Sequence, residues 1–404
     1  MSEKFKIGNI CNIKTGKLDA NQFVLGGEYP FYTCAPEPLT IDSYSFDDSV
    51  ILIAGNNAAG NFHINRFDGK FDAYQRTYIL TAKLGFDLDY IFYSLKLELK
   101  RLKEKAQGSQ TKFLTMPLLN DISIAKLDLS SQQKISSVLS ALDSKIELNN
   151  RINTELEAMA KTLYDYWFVQ FDFPFDFAQG KPDKDGKPYK TSGGKMVWNE
   201  ELKKDIPDGW EVDKIGNIFH TSLGGTPSTR VKEYWENGTI NWLNSGEIAN
   251  FPIIDSELKI TEAAIRNSAT DLLPKGSVLL SITRHLRPTI LAIDACANQS
   301  VVGIKEKDDY KCYFLYPYLK NEIPRLNTMR SGAQQPHINK EIVDESFIVI
   351  PNESSNIMKA YNANVGHLYE LIINNTLQNQ TLAELRDWLL PMLMNGQVQV
   401  TQSH

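Results

Sequence analysis

The chain is poor in the residues that cross-link small domains or bind zinc. Its four cysteines are far apart, and no two of them form a C-x-x-C pair: Cys11, Cys34, Cys296 and Cys312. This pattern argues against a disulfide framework and a zinc site, and it predicts a reducing compartment. The six histidines also occur singly, without the H-x-x-x-H spacing of a helical metal site. We therefore expect this chain to bind no metal.

Long apolar runs are also missing. No run is long enough to cross a bilayer, and the first residues, Met1 to Lys6, contain no apolar signal core. The sequence therefore predicts a cytoplasmic protein that contacts no membrane.

Catalytic motifs are absent as well. Gly180 to Lys187 resembles a nucleotide-binding loop, but it has one residue too many between its glycines, and Pro188 stands where a hydroxyl is needed. No Pro-Pro pair occurs, so the loop of amino-methyltransferases is missing, and no nucleophile elbow is found. We predict a protein without a catalytic centre and without a cofactor of its own.

The sequence contains an internal repeat, which decides how the fold is interpreted. Three short elements recur in the same order: KIGNI at 6–10 and 214–218, Gly-x-Gln at 108–110 and 332–334, and an apolar run ending in Asn-Asn at 146–150 and 371–375. Each match is short, so the inference of a repeat rests on the matches occurring in the same order in both halves. The chain therefore consists of two related halves whose loops differ in length.

Each half begins with a region of mixed character. Short apolar runs between turn residues predict strands at Val50–Ala54, Thr77–Leu80, Ser277–Ile282 and Ser346–Ile350. The pattern over Asp89–Lys105 predicts a helix.

Each half then continues into a long helix with alternating spacings of four and three, which is typical of a coiled-coil seam. The first seam runs through Ile135, Leu139, Leu142, Ile146, Asn149, Asn153, Leu156, Ala160, Leu163 and Trp167. The second runs through Ile357, Tyr361, Asn364, Leu368, Leu371, Asn375, Gln378, Leu382, Leu385, Leu389 and Met392. Both turn polar near the middle, at Asn149, Asn153, Asn375 and Gln378, and buried polar seam residues fix the register of a pair.

We expect the two helices to pair, although two surface helices on separate domains would give similar stripes. About 35 residues make a helix of roughly 50 Å. Between the halves, Phe175–Trp198 is rich in Gly, Lys, Asp and Pro and predicts an exposed linker with no core of its own. The predicted boundaries are 1–131 (first domain), 132–172 (helix), 173–206 (linker), 207–351 (second domain), 352–396 (helix) and 397–404 (tail).

The ordered motifs of the second half resemble those of one known family. They are Leu223–Thr229, Tyr234–Leu243, Leu273–Leu279, Ala297–Gln299, Ser331–Asn339 and Phe347–Pro351, together with Gly186–Lys190 and Gly193–Trp198 between the halves. This succession is similar to the target recognition domain of type I restriction–modification specificity subunits. The first half resembles it more faintly, because Ser130-Ser131 stands where a proline-ended strand is usual. The resemblance covers essentially the whole chain.

The resemblance implies a fold and a division of labour. The fold is α+β, with two pseudo-repeated mixed α/β target recognition domains separated by two long helices that form an antiparallel coiled coil. Each domain would read one half of an asymmetric, gapped target in double-stranded DNA, and the helices would act as spacer and docking site for two methyltransferase subunits. Those partners would carry S-adenosylmethionine, and a restriction subunit would use ATP with Mg²⁺. This chain would be a non-catalytic subunit.

Polar and basic loop residues are the candidates for DNA contact, since Asn and Gln pair with adenine, Arg and Lys with guanine, and hydroxyls with phosphate. The first domain offers Lys14, Lys17, Asn56, Asn57, Arg66, Gln75, Arg76, Gln110 and Lys112. The second offers Thr226, Ser228, Thr229, Arg230, Lys232, Arg284, His285, Arg287, Gln334 and Gln335. For the lysines of the helix at 89–105, phosphate contact and a solvated face are equally good interpretations.

An alternative function stays open at this stage. A net charge of −6 is also compatible with a coiled-coil scaffold whose two domains bind peptide or protein rather than DNA. DNA binding would have to come from local basic faces.

Overall fold

The computed structural model describes residues 3–56, 62–105, 113–176, 181–332, 336–352, 356–398 and 400. The chain divides into two compact units, residues 1–147 with 380–404, and residues 148–379. None of the helices in these described ranges is long and apolar enough to span a membrane.

The first unit contains the first mixed domain. Its strands and helices are β1 Lys4–Lys6, α1 Ile7–Ile10, β2 Cys11–Thr15, β3 Tyr29–Tyr32, β4 Leu39–Ile41, β5 Phe46–Ala54, β6 Ile64–Ala73, β7 Thr77–Ala82, α2 Leu88–Lys105, α3 Met116–Asp121 and β8 Ser123–Ala125. Six strands form one sheet in the order β2-β7-β5-β6-β3-β4, and β1 pairs separately with β8. The β-branched and leucine side chains from Val50 to Ile53 are at most 1% exposed, because β5 is central and both of its faces are covered.

The long helix α4 (Leu129–Tyr164) follows, and it continues as a π-helical turn at Asp165–Val169. It begins three residues before the predicted boundary because Asp128 caps its N-terminus. The Asp128 carboxylate accepts the backbone N–H of Ser131 at 2.9 Å and the Ser131 hydroxyl at 2.8 Å, as capping residues do.

The stretch predicted as an exposed linker is folded, so that prediction was wrong. It contains β9 Pro174–Asp176, β10 Lys181–Pro182, β11 Lys187–Pro188, β12 Met196–Asn199 and β13 Lys204–Pro207, with β9 between β10 and β11 and with β12 paired to β13. Phe173 stacks on Tyr189 at 4.8 Å and on Trp210 at 5.4 Å between ring centroids. These scattered aromatic residues join the core of the second unit, which the high Gly, Lys and Pro content concealed.

The second unit contains the second mixed domain. Its elements are β14 Glu211–Lys214, α5 Ile215–Ile218, β15 Thr221–Leu223, β16 Ile240–Leu243, β17 Leu258–Ile260, α6 Glu262–Arg266, β18 Val278–Ser281, β19 Arg287–Ile290, β20 Ala295–Ala297, β21 Val301–Ile304, α7 Cys312–Thr328, α8 Lys340–Asp344 and β22 Phe347–Ile350. Two sheets form, in the orders β15-β21-β18-β19 and β17-β16-β20, and β14 pairs with β22.

The two domains share several strand pairings, as the sequence repeat predicts, although the first has one six-stranded sheet and the second has two smaller sheets. In each, the first strand pairs antiparallel with the last strand before the long helix, β1 with β8 and β14 with β22. The repeated KIGNI letters form the end of that first strand and the short helix after it. One parallel pair also occurs in each, β3 with β6 and β16 with β20.

The last helix, α9 (Ile357–Met394), runs antiparallel to α4. Within the second unit, Asn149 donates to Gln378 at 2.7 Å and Asn375 donates to Asn153 at 2.9 Å. As the residue number rises in one helix, that of its partner falls. The fold class is therefore as predicted: two mixed α/β domains and two long antiparallel helices.

The predicted seam agrees with the structure in α4, where its members are buried or half-buried, and it is partly wrong in α9. Asn364 and Gln378 are exposed, Leu371 is 46% exposed and Leu385 is 41% exposed, whereas Val365 and Ile372 are at most 1% exposed. In the second unit α9 also packs on α7, where Tyr369 stacks on Tyr313 at 5.1 Å. A helix that contacts two neighbours buries a broader stripe than a coiled-coil seam, and its apolar spacing alone does not locate the seam.

Candidate nucleic-acid interface

Four turns of the first domain meet at one end of its sheet. Gln75 N–H donates to Leu18 at 2.9 Å, Gly55 N–H donates to Arg76 at 2.8 Å, and Leu114 N–H donates to Gly55 at 3.0 Å. We call this set the first loop edge, and it consists of residues 16–19, 55–56, 74–76 and 113–115. The backbone bonds hold together turns that are far apart in sequence.

The second domain builds the same arrangement from the equivalent turns. Gly224 N–H donates to Val301 at 3.0 Å, Ile282 N–H donates to Ser300 at 2.9 Å, and Ile338 N–H donates to Ile282 at 3.1 Å. We call this set the second loop edge, and it consists of residues 224–230, 282–286, 298–300, 330–332 and 336–338. The chain therefore presents two edges with one backbone plan.

A glycine is required at the same place in both edges. A Cβ on Gly16 would lie 2.1 Å from the carbonyl oxygen of Ala73, and one on Gly224 would lie 2.2 Å from that of Asn298. Any larger residue would push the loop after β2 or β15 away from its neighbouring turn. These two glycines thus fix where the adjoining polar side chains stand.

Four of the predicted residues lie on the first loop edge. Lys17, Gln75 and Arg76 are exposed, and Asn56 is half-buried and bridged to Phe113. Gln75 donates to Asp19 at 2.9 Å. Three further candidates, Asn57, Gln110 and Lys112, lie outside the described residues.

Two predicted residues lie elsewhere in the first domain. Lys14 is exposed on β2. Arg66 on β6 is half-buried and donates to Asp89 at 2.6 Å, to the Ser49 hydroxyl at 2.8 Å and to the Phe67 carbonyl at 2.7 Å. These bonds occupy its guanidinium within the domain, which is a structural role.

The second loop edge contains most of the candidates of its domain. The candidates that follow Gly224-Gly225, and those at the hairpin tip between β18 and β19, are exposed: Thr226, Ser228, Thr229, Arg230, Arg284 and His285. Lys232 and Arg287, also exposed, lie just beyond its ends. Gln334 and Gln335 are outside the described residues.

Two tryptophans support the second loop edge, and the sequence reasoning did not single them out. Trp242 Nε1 donates to the Gly225 carbonyl at 3.0 Å, and Trp235 Nε1 donates to the Ser228 carbonyl at 3.2 Å. Their rings pack edge to face at 5.1 Å. These two bonds therefore hold the loop that carries Thr226–Arg230. The two tryptophans that follow this loop were the feature of the sequence that could have indicated such support.

Tyr78 supports the first loop edge in a similar way. Its hydroxyl donates to the Leu114 carbonyl at 2.8 Å. Burial raises the pKa of Tyr78, so the phenol remains protonated and keeps this bond at neutral pH.

The lysine-rich helix α2 is less suited to phosphate contact than its composition indicated. Lys96 is half-buried, and burial, followed by the charge of Arg386, lowers its pKa. Arg101 is paired with Glu98. Lys100 and Lys103 remain exposed.

Nucleophilic cysteine chemistry has no support in either domain core. Burial raises the pKa of Cys11 to about 12 and that of Cys296 to about 11. Both thiols therefore stay protonated at neutral pH, whereas a nucleophile needs the thiolate. Within the described ranges, no group of three or more His, Cys, Asp and Glu side chains could hold a metal ion.

The polar interruption of the paired helices forms a hydrogen-bonded network in the second unit. Asn149, which is 1% exposed, donates to Gln378 at 2.7 Å and to Asn379 at 2.8 Å. Asn153 meets Asn375 and also Thr376. Since a buried amide without partners is costly, only registers that preserve these pairs are favourable.

Comparison with known proteins matches this architecture along its length. The family described as the type I restriction modification DNA specificity domain matches residues 2–158 and 207–384. The type I restriction enzyme EcoDI specificity subunit of Escherichia coli is 37% identical over 359 residues, which cover 86% of this chain and 77% of that protein. The MjaIX specificity subunit of Methanocaldococcus jannaschii is 28% identical over 330 residues, covering 80% and 72%.

A solved structure supports the fold. The S subunit of a type I restriction–modification system from M. genitalium superposes with a TM-score of 0.59 at 16% identity, covering 99% of this chain and 96% of that one. At this identity the likeness concerns the fold alone.

Proposed function

Because this chain belongs to the family of type I restriction–modification specificity subunits, which are non-catalytic, we propose that it selects the DNA target of its complex. Each domain reads one half of a bipartite, asymmetric site through its loop edge. The second loop edge extends to the flanking residues Lys232 and Arg287. The partner subunits supply catalysis, with S-adenosylmethionine on the methyltransferase and ATP with Mg²⁺ on a restriction subunit.

The observation that carries this proposal is the repetition of one loop edge with different side chains. The backbone plan is shared, but Lys17 and Arg76 stand on the first edge where Gly225 and Ser300 stand on the second, while Gln75 has a glutamine, Gln299, as its counterpart. Two domains that recognise different DNA sequences need a common scaffold with different polar loops. The exposed Lys and Arg side chains supply local positive charge despite the net charge of −6.

The paired helices serve as the docking site for two methyltransferase subunits in this proposal. In the second unit Leu148, Ile152 and Met159 are 41%, 38% and 54% exposed, and their spacing puts them on one face of α4. Exposed apolar side chains along one helix face support burial against a partner.

The first prediction concerns the purified full chain. Alone it will neither bind S-adenosylmethionine nor methylate DNA, and with its methyltransferase partner it will direct N6-methylation of adenine in a gapped duplex. Isothermal titration with S-adenosylmethionine and methyl transfer to duplex panels measure the two parts. Methyl transfer by the chain alone would refute the division of labour, and a complex without sequence preference would refute the reading function.

A further inference from the structure

Arg330 connects three segments in or beside the second loop edge. It follows α7 and is half-buried. Its Nη2 donates to the carbonyl oxygens of Arg284 and Pro336, the latter at 2.8 Å, and its Nη1 donates to Asn327 at 3.3 Å. One guanidinium therefore joins the hairpin tip after β18, the residues before α8 and the end of α7.

The hairpin tip held in this way has an unfavourable backbone. Arg284 has a φ of 56°, in the left-handed region that non-glycine residues rarely adopt. Its N–H donates to the Pro336 carbonyl at 3.3 Å, and Thr283 and Ser331 each form a bridge to His337. Such a conformation persists only where surrounding contacts determine it, and the bond from Arg330 to the Arg284 carbonyl is one of them.

The chemistry of the guanidinium suits this task. Arginine presents five N–H donors in a planar fork, so one head group bonds several carbonyls in fixed directions. A lysine ammonium at the same place would keep the charge and lose the fork. The exposed side chains that depend on the tip geometry are those of Arg284 and His285.

We propose that Arg330 is a positioning residue for DNA specificity in the second domain. It contacts no base itself, and it fixes the tip so that Arg284 and His285 approach the DNA in one geometry. This inference rests on the proposed function, since it assumes that the second loop edge reads DNA.

The test compares R330K and R330M with the matched control R266K, an exposed arginine of the same domain whose guanidinium pairs with Glu262. Each full-length variant is assembled with the methyltransferase, and methylation is measured on duplexes that carry every single-base change in both half-sites. We expect discrimination at one or two positions of a single half-site to fall roughly tenfold in both Arg330 variants. The other half-site and R266K should behave like the wild type.

Amide hydrogen exchange of the full chain provides a readout that does not depend on DNA. Exchange over residues 281–287 should accelerate in R330K and R330M, while exchange over β16 stays unchanged. Thermal unfolding identifies a variant that fails to fold, and R330K keeps the charge and most of the aliphatic stem if R330M does fail.

The possible results distinguish the proposed function from the positioning role of Arg330. A wild-type complex with no sequence preference would overturn the proposed function, and the role of Arg330 in specificity would fall with it. A specific wild type with unchanged discrimination in the folded variants would overturn only the positioning role. Uniform weakening on every duplex, with the ranking of sequences preserved, would also overturn it, because a merely structural residue behaves in that way.

Discussion

At the scale of single residues, the side chains that face solvent on the loop edges differ from those that hold the edges in place. Trp242 and Trp235 hold the loop that carries Thr226–Arg230 through hydrogen bonds to its backbone. Arg330 holds the hairpin tip through a hydrogen bond to the Arg284 carbonyl. Substitution of the first kind should leave the geometry of the edge unchanged, and substitution of the second kind should disturb it. The two kinds predict different consequences for substitution.

Arg284 and Arg287 belong to the first kind, since both are exposed at the tip or on β19. If Arg284→Ala removes a base contact, binding should weaken by about 1–3 kcal/mol and one position of one half-site should relax. If it removes a phosphate contact, binding should weaken uniformly and the salt slope should fall by about one. Titrations of the assembled complex at several salt concentrations measure both, with Lys203→Ala, an exposed lysine outside the edges, as control. Unchanged affinity in both Arg284→Ala and Arg287→Ala would refute their assignment to DNA contact.

Residue types in turns predicted several edge positions but not the roles of all of them. Lys17, Gln75 and Arg76 do lie in exposed turns, which are easy to identify from sequence. Arg66 looked equally available, yet its partners Asp89 and Ser49 come from other elements. Long-range partners of this kind leave no local pattern, and for the same reason Arg330 was not found.

At the scale of elements, the paired helices show both what periodicity predicts and where it fails. In α4 every predicted seam position is buried or half-buried, although this helix also hydrogen-bonds to α2 through Tyr93 and to α7 through Tyr316. In α9 the buried positions include Val365 and Ile372, which were not predicted. The polar residues were informative in both helices, because amides that interrupt an apolar stripe need partners of their own kind.

A paired insertion of one heptad tests whether these helices determine the spacing of the two half-sites. One heptad is placed after Asn149 in α4 and one after Leu377 in α9, so that Asn149 still meets Gln378 and Asn153 still meets Asn375. Seven residues keep the seam in phase and add about 10 Å of helix, which equals roughly three base pairs of DNA. We expect each half-site to be unchanged and only the gap to lengthen, as measured by sequencing of the methylated motif.

The control for that insertion is a paired insertion of two residues at the same places. Two residues rotate the buried stripe away from its partner, so folding or partner binding should be lost. An active heptad variant with an unchanged gap would show that the helices do not act as a ruler.

At the scale of the whole molecule, the internal repeat was the most informative feature of the sequence. Short recurring elements such as KIGNI predicted two related halves, and the matching pairs β1 with β8 and β14 with β22 agree with this. The segment between the halves was misjudged because Phe173, Tyr189 and Trp210 are widely spaced in a polar stretch. Their stacking depends on the core of the second unit, which composition cannot predict.

If the proposed function is correct, this chain determines which DNA sequence its complex modifies. Sequencing of methylated bases in cells that carry the methyltransferase partner, with and without this chain, tests this directly. We expect N6-methyladenine at one gapped, two-part motif in the presence of the chain and no such motif in its absence. The same motif in cells that lack the chain, or a single contiguous motif in cells that contain it, would contradict the proposed function.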